Sequence, residues 1–156
     1  MATAHRCGWV ALMGPPNAGK STLFGAIAGS FVVDEGTIRL DGQNITSLPD
    51  YKRSKFIGRL FQDPLKGTAP SMTIEENLIA VRLDQPPFTK GIMMNKSGQD
   101  TYAKEMVEQF DIRPADYNLP TSSLSGGNAQ KVVVAREVSL GNKLLVASQP
   151  TRGVDI

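Results

Sequence analysis

Cys7 is the only cysteine in the chain, so no disulfide can form within it, and a reducing cytosol is its natural setting. Histidine is as scarce. His5 stands alone near the amino terminus, where such a side chain is ordinarily solvated rather than catalytic. No stretch approaches the roughly 18 apolar residues of a membrane span, and the first residues lack the charged region and apolar run of a secretory leader. A role at a membrane is therefore expected to come through a partner. An excess of one charge is lacking too: 17 basic and 15 acidic residues leave a net +2, scattered rather than gathered in a stripe, too little to imply a nucleic-acid partner. What is present, 40% hydrophobic residues in a chain of 156, suits one globular domain with a core of its own.

The most informative stretch is Gly14-Pro15-Pro16-Asn17-Ala18-Gly19-Lys20-Ser21, which matches a phosphate-binding pattern of Gly, four residues, then Gly-Lys-Ser/Thr. The apolar run Trp9-Val10-Ala11-Leu12-Met13 before it reads as a buried strand, and Thr22 to Ala28 after it as a helix ending at Gly29. Glycines let the backbone wrap an anion, main-chain N–H groups and the helix N-terminus point at it, and Lys20 adds a positive charge. Ser21 would hold Mg²⁺.

Further along, Gly36 to Gly42 alternates polar and apolar residues and ends in Asp41-Gly42, the pattern of a half-exposed antiparallel strand and its turn. Ser47 to Ser54 predicts a short helix, and Phe56 to Phe61 a second strand that runs into Gln62-Asp63-Pro64. A glutamine there sits where ligands of open α/β sheets bind, outside the carboxyl ends of the strands. Thr73 followed by Glu76 predicts a capping box and a helix through Val81. Gln85 to Gly98 shows no sustained period and reads as an exposed excursion, with Met93-Met94 expected to fill gaps in packing. Asn95-Lys96 begins like the guanine-reading Asn-Lys-x-Asp motif, but the fourth residue is Gly98 and the match fails. Asp100 to Phe110 predicts an amphipathic helix with Tyr102, Met106 and Phe110 on its core stripe beside Ala103 and Val107.

A second anion-binding device follows in Leu124-Ser125-Gly126-Gly127-Asn128-Ala129-Gln130: a hydroxyl donor, two glycines permitting close approach, and a helix beginning behind them. Val132-Val133-Val134 on its own would favour a strand.

With both phosphate-binding elements in place, the chain resembles the nucleotide-binding domain of ATP-binding cassette (ABC) transporters. The phosphate loop at Gly14 to Ser21, a glutamine loop at Gln62, the signature at Leu124 to Gln130 and Pro150 to Asp155 follow that family's order. The Asn-containing signature and Ala147-Ser148-Gln149-Pro150-Thr151-Arg152-Gly153 look like importers of sugars or nucleosides, while Gly67 to Asn77 looks more like amino-acid or uncharacterised importers of the same superfamily. The resemblance implies an α/β fold: a P-loop NTPase core over about 8–30, 55–62 and 131–156, a reduced antiparallel β portion over about 31–45, and a helical insert over about 65–130. The whole would be a single, partial nucleotide-binding domain. It implies ATP held by Gly14, Asn17, Ala18, Gly19, Lys20, Ser21 and Thr22 of one domain and by Ser125, Gly126 and Gly127 of another. It further implies Mg²⁺ on Ser21 and Gln62, and catalytic positions at Gln62 and Gln149. Its partners would be a second nucleotide-binding domain, identical or different, and a transmembrane permease contacted through the insert and Gln62. That would place the chain on the cytoplasmic face of a membrane.

The departures bear on chemistry. Leu144 to Ala147 is the strand that should end in Asp-Glu, and Ser148-Gln149 stands there instead. Serine brings no charge to steady Mg²⁺, and a glutamine hydrogen-bonds water without taking its proton. Losing a positioned base typically costs about 10² to 10⁴ in rate, so slow hydrolysis at this chain's own phosphate loop is expected, as in one half of some sugar and nucleoside importers. A non-hydrolysing regulatory domain is the alternative reading. A GTPase is a third, supported by the Pro-Asn-Ala-Gly-Lys-Ser spelling. The family's usual second glycine in the loop is Asn17 here, a residue that tolerates left-handed backbone. The family also places a strand and a histidine after Asp155, that strand lying between the one entering the phosphate loop and the one ending at Ser148. Either a central sheet position is vacant, as in a fragment, or the two strands close the gap directly.

Overall fold

The computed structural model describes residues 8–11, 19–61, 63 and 66–147. The strand entering the phosphate loop is β1 (Gly8–Ala11), and the helix leaving it is α1 (Lys20–Ala28). Gly29 stops α1 at φ 80°, a left-handed turn that a glycine takes without steric cost. The helix end is then held by arginines. Arg53, 2% exposed, donates from Nη1 to the Ala26 and Ile27 carbonyls at 2.6 and 2.8 Å. Its Nε and Nη2 reach Leu48 and Thr46 carbonyls at 2.7 and 2.8 Å, and Arg59 donates to the Ala28 carbonyl.

The Asp-Gly turn joins β2 (Arg39–Leu40) to β3 (Gln43–Asn44), with Asp41 and Gly42 both at positive φ, as tight hairpins require. The helix expected from Ser47 shortens to the single turn α2 (Asp50–Arg53). The residue before a proline is pushed out of the helical region, so Leu48 cannot be helical and Pro49 becomes the cap. The next strand is β4 (Ile57–Leu60). The capping box forms as expected at α3 (Ile74–Ile79): Glu76 N–H donates to Thr73 Oγ1 at 3.1 Å and Thr73 N–H to Glu76 Oε2 at 2.7 Å.

The excursion after α3 is a hairpin, β5 (Thr89–Lys90) paired with β6 (Met93–Met94). Its anchor is Phe88, buried against Tyr102 and Arg82. Met93 and Met94 do not fill gaps in packing. They are 71% and 59% exposed beside a fully exposed Ile92, because two-residue strands lay no face on the core and Phe88 already occupies the space. The long insert helix is α4 (Lys96–Gln109), whose Ala103, Met106 and Val107 join Ile74, Leu78 and Ile112 in one apolar cluster.

Behind the signature runs α5 (Gly126–Ser139), and β7 (Leu144–Ala147) follows. The three valines are helical because they serve different neighbours. Val132 enters the α3/α4 cluster, whereas Val133 packs with Leu60, Leu145 and Ala147 of the sheet. On the opposite face of the sheet, Phe24 of α1 packs with Ile45, Ile57 and Val146. The sheet runs β1-β7-β4, all parallel, with Gly8 opposite Leu144 and Ile57 opposite the same residue. No gap separates β1 from β7, so the two strands meet directly. The neighbouring Glu137 takes the Arg59 main-chain N–H at 3.3 Å.

Candidate nucleotide-binding site

The register decides where the loops emerge. Ala11 and Leu60 both lie opposite Ala147, so β1, β4 and β7 all end at one edge of the sheet. That is the carboxyl edge, where open α/β sheets bind ligands. Of the residues singled out by sequence, Gly14, Asn17, Ala18, Gln62, Ser148 and Gln149 lie outside the described residues. Gly19 caps α1 at φ 72°, with no side chain bonded over the helix start and no acidic residue in the first turn. Lys20 and Ser21 are the first two helical positions, and Thr22 beside them is exposed. A helix N-terminus left so carries a partial positive charge suited to an anion.

The signature presents a second helix N-terminus, this one capped by a side chain, with Ser125 Oγ accepting the Asn128 N–H at 3.3 Å. Ser125 caps α5 with extended backbone, and again no acidic residue stands in the first turn. Ser125 and Gly126 are exposed, while Leu124 packs on the helical cluster and fixes the loop from below. The loop is also tied at Thr121, whose hydroxyl donates to the Ala69 carbonyl at 2.9 Å. Ala69 is in turn clasped by Asn77, which accepts its N–H at 2.8 Å. The signature loop and the segment after Gln62 are thus one bonded unit.

Two contributors escaped the sequence reading. Gln130, 2% exposed, donates from Nε2 to the Phe61 carbonyl at 3.4 Å, linking α5 to the residue before Gln62. Asn128 accepts the Arg113 N–H through Oδ1 at 2.7 Å and donates from Nδ2 to Ser125 Oγ at 3.0 Å. An Asn three residues into a Ser-capped helix was the available signal. Arg113 is held in turn by Asp111, whose carboxylate meets Arg113 Nε at 2.8 Å and Lys131 Nζ at 3.3 Å. The bond from Lys131, then that from Arg113, holds the Asp111 carboxyl below its ordinary range.

Along β4 lies a groove of about 820 Å³. It is lined from α2, β4, the turn after α3 and the last turns of α5, with Tyr51, Phe61 and Val81 exposed along it among Arg59, Arg82 and Glu137. Its Phe61 end adjoins Gln62.

Residues 2–152 match the family model described as ABC transporter. The chain belongs to the ABC transporter family. Among curated relatives it is 36% identical over 149 residues to the nucleoside import ATP-binding protein NupA of Lactococcus lactis subsp. cremoris, covering 94% of this chain and 29% of that protein. To the guanosine import ATP-binding protein NupO of Bacillus subtilis it is 33% identical over the same shares. The chain therefore spans about three-tenths of the length of these relatives. Among solved structures it superposes on a dimeric, post-hydrolysis ATP-binding cassette, MJ0796, bound to ADP and Pi, with a TM-score of 0.73 and 26% identity over 90% of this chain and 60% of that one. The fold is that of the ABC cassette: a P-loop NTPase core of mixed α/β type carrying a helical insert and a small antiparallel β portion. NupA and NupO are import ATP-binding proteins, and no helix among the described residues is long and apolar enough to cross a membrane.

Proposed function

We propose that this chain is the ATP-binding part of an importer and works as one half of an asymmetric pair of nucleotide-binding domains. The observation that carries the reading is the pairing, in one fold, of an α1 start with no side-chain cap at the carboxyl edge of the sheet with an α5 start at which Ser125 and Gly126 are exposed. In this reading Gly14, Asn17, Ala18, Gly19, Lys20, Ser21 and Thr22 cradle the triphosphate of ATP. Ser125, Gly126 and Gly127 close over the nucleotide of the second domain. The hydroxyl and carboxamide oxygens of Ser21 and Gln62 are hard donors that suit Mg²⁺, and they would hold it. Once bound, the ion neutralises phosphate charge. Gln149 can orient a water but takes no proton from it, and Ser148 adds no charge, so ATP on this phosphate loop is a long-lived structural ligand. Hydrolysis belongs to the site that Ser125 completes on the partner.

The division into core, β portion over about 31–45 and insert over about 65–130 is part of the same proposal. The groove ending at Phe61 is where a cytoplasmic segment of the permease would dock, since its rim offers apolar Tyr51 and Val81 and its end adjoins Gln62. That places the assembled protein on the inner face of the membrane. Nucleosides or sugars are the cargo this reading favours, from the likeness to nucleoside and ribose importers.

The test is ATP hydrolysis by the full-length protein assembled with its partner subunits. Ser125→Ala removes a donor aimed at developing charge, a loss worth about 10²-fold or more, while Lys20→Ala has the smaller effect. Full activity in the Ser125→Ala assembly refutes the asymmetric pair. Ser148-Gln149 also favours a second reading, a non-hydrolysing domain that uses ATP as a dimerisation switch. That reading requires ATP to raise the melting temperature of an assembly that shows no hydrolysis at either site.

A further inference from the structure

Ser125 Oγ has two described partners within the protein, and both are donors. The Asn128 main-chain N–H reaches it at 3.3 Å and the Asn128 Nδ2 at 3.0 Å. The orientation of that carboxamide is not free. Its other end lies 2.7 Å from the main-chain nitrogen of Arg113, and a peptide N–H only donates, so oxygen must face it. The amide nitrogen is thereby turned onto Ser125. Arg113 has its own tether, through Asp111 to Lys131 of α5.

A hydroxyl carries one proton and two lone pairs. With both lone pairs engaged by Asn128, the proton is left to point outward from an exposed residue. We infer that Asn128 is a positioning residue that fixes Ser125 as a hydrogen-bond donor toward the terminal phosphate of a nucleoside triphosphate bound to a second domain. The inference rests on the reading of Ser125 given above and adds the device that sets its direction. A terminal phosphate presents acceptors, so a serine already turned to donate needs no reorientation when charge develops there.

Two substitutions of similar size separate direction from support. Asn128→Asp keeps the acceptor for Arg113 but puts an acceptor where Nδ2 stood. The Ser125 proton then turns inward to the carboxylate, and a negative charge sits beside the phosphate position. An acidic residue in the first turn of a helix is favourable to folding, so this variant is expected to melt close to the parent. Asn128→Leu removes both side-chain bonds but leaves the hydroxyl free to rotate outward. If Asn128 only supported the loop, Leu would be the more harmful; if it directs the proton, Asp is.

The experiment compares ATP hydrolysis of the full-length protein, assembled with its partner subunits, for the parent, Asn128→Asp, Asn128→Leu and Ser125→Ala, with melting temperatures alongside. The expected result is an Asp variant about tenfold slower than the Leu variant. The loss should fall mainly on kcat, as for an interaction that strengthens as charge develops on the phosphate. A Leu variant as slow as the Asp variant or slower, or an Asp loss confined to the KM for ATP, overturns the assignment of Asn128 while a slow Ser125→Ala variant leaves the reading of Ser125 standing. A Ser125→Ala variant at full rate overturns both.

Discussion

Replacing Arg53 by methionine keeps the apolar length of the side chain and removes only its guanidinium. Every bond described for that group goes to a main-chain carbonyl: Ala26, Ile27, Leu48 and Thr46, at 2.6 to 2.8 Å. Two of these carbonyls belong to the last turn of α1, which has no basic residue of its own there, so the arginine serves as a remote cap for the helix that carries the phosphate loop. Burial first, and the nearby Arg59 second, push the Arg53 pKa below its ordinary value. Hydrogen bonds to charged groups are each worth about 1.5–3 kcal/mol net, but the desolvation cost of the cation offsets part of their sum. Four main-chain acceptors lose their donor, each a loss of about 1–3 kcal/mol, and relief of the cation's desolvation offsets part of the sum, leaving about 3–5 kcal/mol as the expected loss. At roughly 2–4 °C per kcal/mol for a chain of this size, Arg53→Met should melt about 6–20 °C below the parent. Arg53→Lys keeps the charge without the fork and should fall between the two. Thermal and urea unfolding followed by circular dichroism reads both. An Arg53→Met protein that melts within about 2 °C of the parent refutes the capping argument.

Three further outcomes are expected. Gly58→Ala places a Cβ 2.5 Å from Asn142 Nδ2 and 2.7 Å from Leu145 Cδ1, and overpacking of this kind should lower stability by about 1–3 kcal/mol in urea titration; an unchanged midpoint contradicts the packing described. Thr73→Ala deletes the α3 cap and half of its box, so a loss of about 1 kcal/mol is expected, with amide exchange faster at Glu76 than at mid-helix positions. The Asp111 carboxyl is held below its unfolded pKa by Lys131 and then Arg113, so its contribution is present above about pH 4 and lost as pH falls through the lower folded value. Asp111→Asn should therefore flatten the acid side of the stability profile, and a profile identical to the parent's below pH 4 argues against the pairing.

Much of the frame was legible because it is local. The strand ending at Ala11, the helix starting at Lys20, the Asp41-Gly42 turn, the Thr73/Glu76 box and the α4 stripe each depend on residues a few positions apart, and each formed. Leu48-Pro49 shortened α2 for a reason equally local, one the helix prediction overlooked. The hairpin at Thr89–Met94 was hidden because two-residue strands carry no period, and its methionines were assigned inward by residue type alone. Arg53 was invisible as a cap, since a charge in a polar stretch ordinarily means surface, and its acceptors come from a helix 26 and 27 positions earlier. At the candidate site, the helix starts at Gly19 and Ser125 could be read from their motifs. The tie between Asn128 and Arg113 could not, because it needs the segment after α4 laid against the first turn of α5. The groove is likewise assembled from four separated segments, and no window of the sequence contains it.

The pairing of Gly8 with Leu144 also sets an order of events. The helical cluster of α3, α4 and the middle of α5 closes short loops, whereas β1 must wait for β7, with nearly all of the described chain between them. Long-range parallel pairing is the slow step in such topologies, and during synthesis at about 5–20 residues per second the first strand stays unpaired until the last described one emerges. The phosphate loop, which leaves β1, is thus expected to be the last part of the molecule to acquire its shape. Pulsed hydrogen exchange during refolding should protect the amides of Leu78 and Val107 before that of Val146.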